Sequence, residues 1–297
     1  MATPSAKTRV SLSNILYATD FSSIAGAAVP YAAEIARRYG GRVHAVHVRS
    51  IQAYGIAPPE SWPALKEAAE VQAKEEAERL DRLFQGVEHD STVTEGDVWE
   101  VLSRLIDEKH ADLIVMGTHG REGLGKILLG SVAENVLRRA ACPVLTVGPR
   151  VLVSPERAVE MKRILFPTDF SAASQAAAAY AISLAQENQA YLDLLHVIET
   201  RKTGELVLAQ ELVPGTKGRM RALLPPEADL WCEPTYLVEE GDPAESILKT
   251  AKEHGADMIV LGVKRLQGGF SPAARAPWAT AHKIIVGAPC PVLTVHG

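Results

Sequence analysis

The sequence predicts an α/β protein built from two repeats, each a five-stranded parallel open sheet with helices on both faces. Three observations carry this prediction: a long internal repeat, an alternation of short apolar runs with helical patterns inside each copy, and strands that are apolar on both faces. The length of 297 residues suits two domains of ordinary size. Each element is therefore expected twice along the chain.

The internal repeat runs through both halves of the chain in one order. Ordered matches of this kind do not arise by chance, so each copy is expected to be a complete folding unit. We expect domain 1 at 1–149 and domain 2 at 160–297, joined by a linker at 150–159. The matching blocks are NILYATDFS at 14–22 with RILFPTDFS at 163–171, ADLIVMG at 111–117 with ADMIVLG at 256–262, and CPVLTV at 142–147 and 290–295.

Each copy contains strands and helices in βαβ order. Short runs rich in Val, Ile and Leu alternate with segments whose apolar residues recur at helical spacing. The last two strands are continuous apolar runs, which is typical of parallel strands covered on both faces. In repeat one we expect strands at 15–18, 43–48, 91–94, 113–116 and 144–147, and helices at 22–39, at 65–84, from 97 onward and at 131–139.

The third helix of each copy has a start signal of its own. Asp97 and Glu100 have the spacing of a capping box, in which a side chain accepts a hydrogen bond from the first turn of the helix. In repeat two the start reads Asp242-Pro243, with proline at the first helical position, where a missing N–H costs nothing. Two different sequences therefore predict the same helix start.

Composition excludes several classes of protein. The net charge is −5, divided as about −2 and −3 between the halves, so we expect no nucleic-acid partner. The sequence has no apolar run of membrane-spanning length and no leader-like start, so we expect no membrane association and a cytoplasmic location. Cys142, Cys232 and Cys290 are too few and too widely spaced for a disulfide framework, which fits a reducing compartment.

A glycine loop follows the fourth strand of repeat one, at the sheet edge where open α/β sheets bind ligands. GTHG at 117–120 is separated by nine residues from GSV at 130–132, which opens a helix. Glycines let backbone N–H groups approach an anion, and the helix N-terminus adds free donors and a favourable dipole. The pattern predicts phosphate binding. The alternative is that the glycines only turn the chain, while Ser131 and Glu134 form a capping box.

Two other nucleotide motifs are excluded. Gly120, Gly125 and Lys126 nearly form a Walker A loop, but Ile127 stands where a Ser or Thr should hold magnesium. No GxGxxG dinucleotide fingerprint occurs in this loop. The sequence therefore supports neither a P-loop NTPase nor a dehydrogenase.

With these motifs, the two repeats resemble universal stress protein domains over nearly the whole chain. The resemblance implies a Rossmann-like, adenine nucleotide α-hydrolase-like fold and, as in one subgroup of that family, ATP bound through the pattern Gly-x2-Gly-x9-Gly-Ser. It implies that Asp20 holds the ribose or a bound metal, with Mg²⁺ as the expected ion, and that the Val48 backbone contacts adenine. Ala18 stands where the family often has proline. Met116 and Gly117 would line base and sugar, and the phosphates would be surrounded by Thr118, His119, Gly120, Gly130, Ser131 and Val132.

Repeat two has lost this loop. Asp169 and Val197 are kept, but Gly262 is followed by VKR, and Trp278-Ala279 stands where repeat one has Gly130-Ser131. A tryptophan at the helix entrance would block the approach of a phosphate to the backbone. We therefore expect one ATP per chain, in repeat one.

Other polar side chains have simpler interpretations. His44 and His47 are three apart on a strand and point to opposite faces, so they are expected to be core or ladder residues rather than joint metal ligands. His119 lies in the glycine loop and could donate to a phosphate. Arg121 and Lys126 are expected either as a lid over the phosphates or as solvated charges.

The leading hypothesis is an ATP-binding stress-response or regulatory protein, whose nucleotide shifts its conformation or its choice of an unknown protein partner. The alternatives are a slow ATPase or nucleotide-dependent phosphotransferase, with Asp20 and His119 as candidate bases, and an interaction module that binds no nucleotide. The apolar last strand of each repeat predicts that the repeats pack there as an intrachain pseudo-dimer. Further homo-oligomers stay open.

Overall fold

A computed structural model describes residues 10–49, 62–118, 129–151, 159–199, 207–226, 228, 230, 233–264 and 272–297, with only the backbone of 62–65, 207–212 and 272–277. Contacts divide the chain into two compact units. One is Ser11–Cys142, and the other is Pro143–Gly297, to which Val10 also belongs.

The first unit has the predicted elements in the predicted order. Its four strands are parallel and lie side by side in the order β3-β2-β1-β4. The elements extend one to three residues beyond several predicted bounds, as hydrogen bonding continues past the most apolar positions. They are β1 (Asn14–Thr19), α1 (Ser23–Tyr39), β2 (Arg42–Arg49), α2 (Trp62–Leu83), β3 (His89–Glu95), α3 (Val98–Glu108), β4 (Leu113–Gly117) and α4 (Ser131–Arg139).

Strand order reverses beside β1 in this unit. The chain moves from β1 outward to β2 and β3, then returns to form β4 on the other side of β1. Right-handed crossovers therefore place α1 and α2 on one face of the sheet and α3 and α4, which pack together, on the other. A reversal of this kind leaves a crevice at the carboxyl ends of β1 and β4.

The second unit contains β5, which ends repeat one in the sequence, and all of repeat two. Its strands lie in the order β5-β10-β9-β6-β7-β8, all parallel except that β5 runs antiparallel to β10. The predicted α/β fold class of two repeats is confirmed. The elements are β5 (Val144–Val147), β6 (Arg163–Pro167), α5 (Ala172–Asn188), β7 (Tyr191–Ile198), α6 (Val207–Arg221), β8 (Thr235–Glu240), α7 (Pro243–Glu253), β9 (Met258–Val263), α8 (Pro272–Gly287) and β10 (Val292–His296).

The helix starts and the buried strands follow the local sequence signals. Asp97 Oδ1 accepts from Glu100 N–H at 3.0 Å, and Asp242 Oδ1 accepts from Glu245 N–H at 3.1 Å, with Pro243 at the start of its helix. All residues of β4 and β5 are buried, as their continuous apolar runs predicted. In the described part of the chain, no helix has the length and apolarity needed to cross a bilayer.

Candidate functional site

The candidate site lies at the carboxyl ends of β1, β2 and β4. Ala18 of β1 lies beside Met116 of β4, and β2 pairs along the other side of β1. The predicted ligand residues Asp20, Val48 and Thr118 therefore come from the ends of three neighbouring strands, although they are far apart in the sequence. This edge includes the point where strand order reverses, which is where α/β sheets bind ligands.

The two ends of the glycine loop are joined by a backbone hydrogen bond. Gly130 N–H donates to Thr118 O at 2.8 Å, and Thr118 is completely buried. The start of α4 is thereby held at the end of β4, as the predicted phosphate loop requires. The residues of that prediction that lie outside the described part of the chain are His119, Gly120, Arg121 and Lys126.

The start of α4 does not have the arrangement that the capping-box alternative predicts. Gly130 is the N-cap, and Ser131 is already the first helical residue. The Glu134 carboxylate pairs with Arg138 at 2.7 Å. The interpretation of Ser131 as the cap is therefore wrong. Glycine supplies no side-chain acceptor, so the N-cap leaves the first-turn donors of α4 without the capping that α1 and α3 receive.

The predicted ligand residues differ in exposure. Met116 is 5% exposed and belongs to the core, so only its backbone can line a site at this edge. Thr118 is buried in the same way. Those that present side chains to solvent are Ala18, Asp20 and Val48, which are half-buried, and Ser131 and Val132, which are exposed.

Gly117 has a packing function that sequence reasoning missed. A Cβ at this position would lie 2.9 Å from the backbone nitrogen of Ala25 in α1. The equivalent Gly262 meets Ala173 of α5 in the same way, with a Cβ to carbonyl oxygen distance of 2.4 Å. Since repeat two keeps this glycine without the rest of the loop, close packing of strand and helix explains it in both repeats.

The variant Gly117→Ala is accordingly expected to lower the free energy of unfolding by about 1–3 kcal/mol, because the new methyl group must push a helix backbone away. Gly262→Ala is expected to act in the same direction, and urea denaturation measures both. An unchanged stability in Gly117→Ala would contradict the packing explanation.

The turn that carries Asp20 follows β1 directly. We call residues 19–22 the Asp20 turn. Asp20 Oδ1 accepts from Ser22 N–H at 3.0 Å, and Ser22 Oγ in turn caps α1 by accepting from Ala25 N–H at 3.2 Å. The hydrogen bond orients the carboxylate with respect to the start of α1. Sequence reasoning identified Asp20 as a site residue but not the turn that holds it.

A magnesium ion is compatible with Asp20. Among the described residues, no three His, Cys, Asp or Glu side chains are grouped to hold a metal ion. Mg²⁺ commonly binds through one or two carboxylates together with substrate phosphates and water. A single carboxylate on the same sheet edge as the phosphate loop therefore fits a nucleotide-bound magnesium ion better than a protein-only metal site.

The corresponding edge of repeat two is built differently. Trp278 does not stand at a helix entrance, because α8 begins at Pro272, six residues earlier, and Trp278 is buried within it. The backbone N–H groups near Trp278 are therefore used inside the helix. The signal was present in the sequence: Pro272 suits a first helical position, and the alanines that follow favour a helix.

Repeat two nevertheless keeps its aspartate in the same kind of turn. Asp169 Oδ1 accepts from Ser171 N–H at 2.9 Å. Burial raises the pKa of Asp169, but hydrogen bonds from Ser171 and Ser174 outweigh burial, and the pKa lies below its usual value. The carboxylate is thus charged at neutral pH.

The remaining candidate residues have structural roles. His44 is buried against Asp90, with Nδ1 to Oδ2 at 2.7 Å, and His47 is buried with Nδ1 2.7 Å from Thr19 O, so both are core or ladder residues as predicted. Burial raises the pKa of the Cys142 and Cys290 thiols to about 12. Both cysteines are therefore inert at neutral pH.

Comparison with known proteins identifies the family. The sequence profile of the universal stress protein family matches the chain twice, at 12–148 and 160–296. A universal stress protein of Mycolicibacterium smegmatis is 29% identical over 95% of this chain and 96% of its own length. One from Methanocaldococcus jannaschii is 35% identical over 45% of this chain and 80% of its own length.

The fold is also that of a solved family structure. The crystal structure of a universal stress protein from Archaeoglobus fulgidus superposes with a TM-score of 0.64 at 22% identity and covers 97% of both chains. At this identity the likeness concerns the fold. The two profile matches and the full-length relative show that the chain belongs to the universal stress protein family as a tandem two-domain member.

Proposed function

We propose that this protein is an ATP-binding regulator of the stress response that holds one nucleotide per chain, in repeat one. The observation that carries the proposal is the start of α4. A glycine N-cap leaves the first turn without a side-chain acceptor, and the Gly130 to Thr118 hydrogen bond holds this turn at the end of β4. Backbone donors and the helix dipole are thus directed toward the edge where strand order reverses.

In this proposal, the nucleotide lies across the ends of β1, β2 and β4. The phosphates contact the backbone of Gly130, Ser131 and Val132 together with the undescribed His119 and Gly120. Asp20 binds the ribose or a magnesium ion, and the Val48 backbone contacts the base. If magnesium is bound, Asp20 would hold it, and the ion would neutralise part of the phosphate charge.

The proposed role is regulatory and cytoplasmic. Binding of ATP with magnesium shifts the population of a conformation that a protein partner recognises, which requires a difference in affinity between two states. A slow ATPase or phosphotransferase is the second candidate. Asp20, a candidate base that follows β1 at this sheet edge, supports it. The pairing of the repeats as a pseudo-dimer and any homo-oligomer stay predictions.

The proposal is tested by analysing the nucleotide that the purified protein releases on denaturation. We expect mass spectrometry and ultraviolet absorbance to identify ATP at close to one per chain, and calorimetry of the stripped protein with magnesium-ATP to give the same stoichiometry. Conversion to ADP over hours would favour the slow ATPase. Two nucleotides per chain would contradict the single site, and the absence of both nucleotide and binding heat would favour an interaction module.

A further inference from the structure

The Asp20 turn contains a bulky residue in an unusual backbone conformation. Phe21 has φ of 62°, in the left-handed region that side chains other than glycine and asparagine rarely adopt. Two local hydrogen bonds close the turn: Phe21 N–H donates to Thr19 Oγ1 at 2.9 Å, and Ser22 N–H donates to Asp20 Oδ1 at 3.0 Å. A conformation of this kind persists where surrounding contacts hold it, and it is frequent at ligand sites.

Side chains from two other elements pack on Phe21. The ring of His47, from β2, lies with its centroid 4.6 Å from that of Phe21, and the guanidinium carbon of Arg79, from α2, lies 4.4 Å from the Phe21 centroid. The His47 ring N–H also donates to Thr19 O at 2.7 Å, because a carbonyl oxygen only accepts. We call Arg79, Phe21 and His47 the Phe21 cluster. It connects the turn to β2 and α2.

Repeat two has the same arrangement. Phe170 has φ of 62°, its ring centroid is 4.8 Å from that of His196, and the guanidinium carbon of Arg219 lies 3.8 Å from the Phe170 centroid. His196 Nδ1 donates to Thr168 O at 2.7 Å. The arginine and histidine recur although α2 and α6 differ in sequence around them.

Comparison of the two repeats shows that the cluster also occurs without the phosphate loop. Repeat two has a continuous helix at the position of the α4 start, yet its aspartate keeps the same turn and the same three neighbours. The cluster is therefore associated with the aspartate turn and not with phosphate contacts. In both repeats the aspartate lies between a threonine and a phenylalanine. The histidine donates a hydrogen bond to the threonine carbonyl, and the arginine and the histidine both contact the phenylalanine ring.

We propose that the Phe21 cluster positions the Asp20 carboxylate for its ligand, so that Arg79, Phe21 and His47 are positioning residues of the site. This inference rests on the proposed function. The backbone on either side of Asp20 sets the direction of its side chain, and the cluster holds both sides. A carboxylate that is already ordered binds more tightly than one that a ligand must order.

The experiment compares Phe21→Leu with Phe21→Tyr and with Phe170→Leu, its matched control in repeat two. Leucine keeps apolar volume but removes the flat ring that arginine and histidine contact, whereas tyrosine keeps it. We expect Phe21→Leu to weaken magnesium-ATP binding about tenfold and Phe21→Tyr to bind within about twofold of the wild type. Phe170→Leu, which alters a repeat without the phosphate loop, is expected to leave ATP affinity unchanged.

A measurement without ligand separates this inference from the proposed function. We expect hydrogen exchange at the amides of Phe21 and Ser22 to be at least about tenfold faster in Phe21→Leu, with exchange in β4 unchanged. Faster exchange with unchanged ATP affinity would overturn the positioning role, and so would unchanged exchange. If the wild type binds no nucleotide, the proposed function fails, and the exchange rates alone decide whether the cluster holds the turn.

Discussion

Gly130→Val is expected to weaken ATP binding at least a hundredfold while the protein stays folded. Gly130 ends the glycine loop and is the N-cap of α4, so a branched side chain there would stand between the phosphates and the first-turn N–H groups. Hydrogen bonds to charged groups contribute about 1.5–3 kcal/mol each, and losing two of them accounts for a change of this size. Calorimetric titration with magnesium-ATP measures it.

The fold should tolerate the change because Gly130 does not use the freedom of glycine. Its φ of −64° and ψ of 147° are accessible to valine, and its N–H bond to Thr118 O does not depend on the side chain. Under the proposed function, the glycine leaves space for a ligand. This differs from Gly117, whose missing side chain makes room for α1.

The matched control for Gly130→Val lies in repeat two. Trp278 is the residue aligned with Gly130, but it is buried in α8, and replacing it would open a cavity. Ala279, aligned with Ser131 and exposed, is the better position. We expect Ala279→Val to bind ATP as the wild type does. Equal ATP affinity in Gly130→Val would remove the assignment of the site, and a loss of affinity in Ala279→Val would contradict a single site in repeat one.

Sequence periodicity predicted the fold because its signals are local and occur twice. The apolar strands, the Asp97 cap and the Asp242-Pro243 start each depend on residues within a few positions. Most of these signals recur in the second repeat. The grouping of the candidate residues was predictable for the same reason, since an aspartate after β1 and glycines after β4 lie at one sheet edge when these neighbouring strands are parallel.

Features that depend on distant neighbours were not predicted. The packing of Gly117 on α1 and the contacts of Phe21 with His47 and Arg79 arise between separate elements, so local patterns carry no signal of them. The position of Trp278 inside α8 was missed because alignment of the repeats transferred the helix start of one copy to the other. The segment from Gly262 to Cys290 is three residues longer than its counterpart from Gly117 to Cys142, so the helix start in repeat two is indicated only by the residues of repeat two itself.

A buried ion pair whose residues differ between the two repeats is another feature that depends on distant neighbours. His44 in β2 pairs with Asp90, whereas the equivalent residue in β7 is Asp193, which pairs with Arg163 and His254. The pairing is conserved in kind but not in the identity of the residues. Only the three-dimensional arrangement shows that Asp193 is a fully buried carboxylate with an arginine and a histidine as partners.

Arg163→Met is expected to lower the free energy of unfolding by about 3–5 kcal/mol, measured by urea denaturation, because it leaves a buried charge without its main partner. Arg163 Nη1 lies 3.0 and 3.2 Å from the two carboxylate oxygens of Asp193, which is 0% exposed, and His254 Nδ1 lies 3.1 Å from one of them. After the change, His254 is the one ion-pair partner of the carboxylate that remains among the described residues.

Removing the carboxylate instead should cost less. The side chains of Arg163 and His254 are 30% and 33% exposed, so both can reach water once Asp193→Leu has taken away their acceptor. The double variant with Arg163→Met and Asp193→Leu should recover most of the loss, since an apolar pair replaces a buried ion pair at little or no cost. If Asp193→Leu were more damaging than Arg163→Met, attraction between the charges would outweigh the desolvation of the carboxylate, and this account of the buried pair would be wrong.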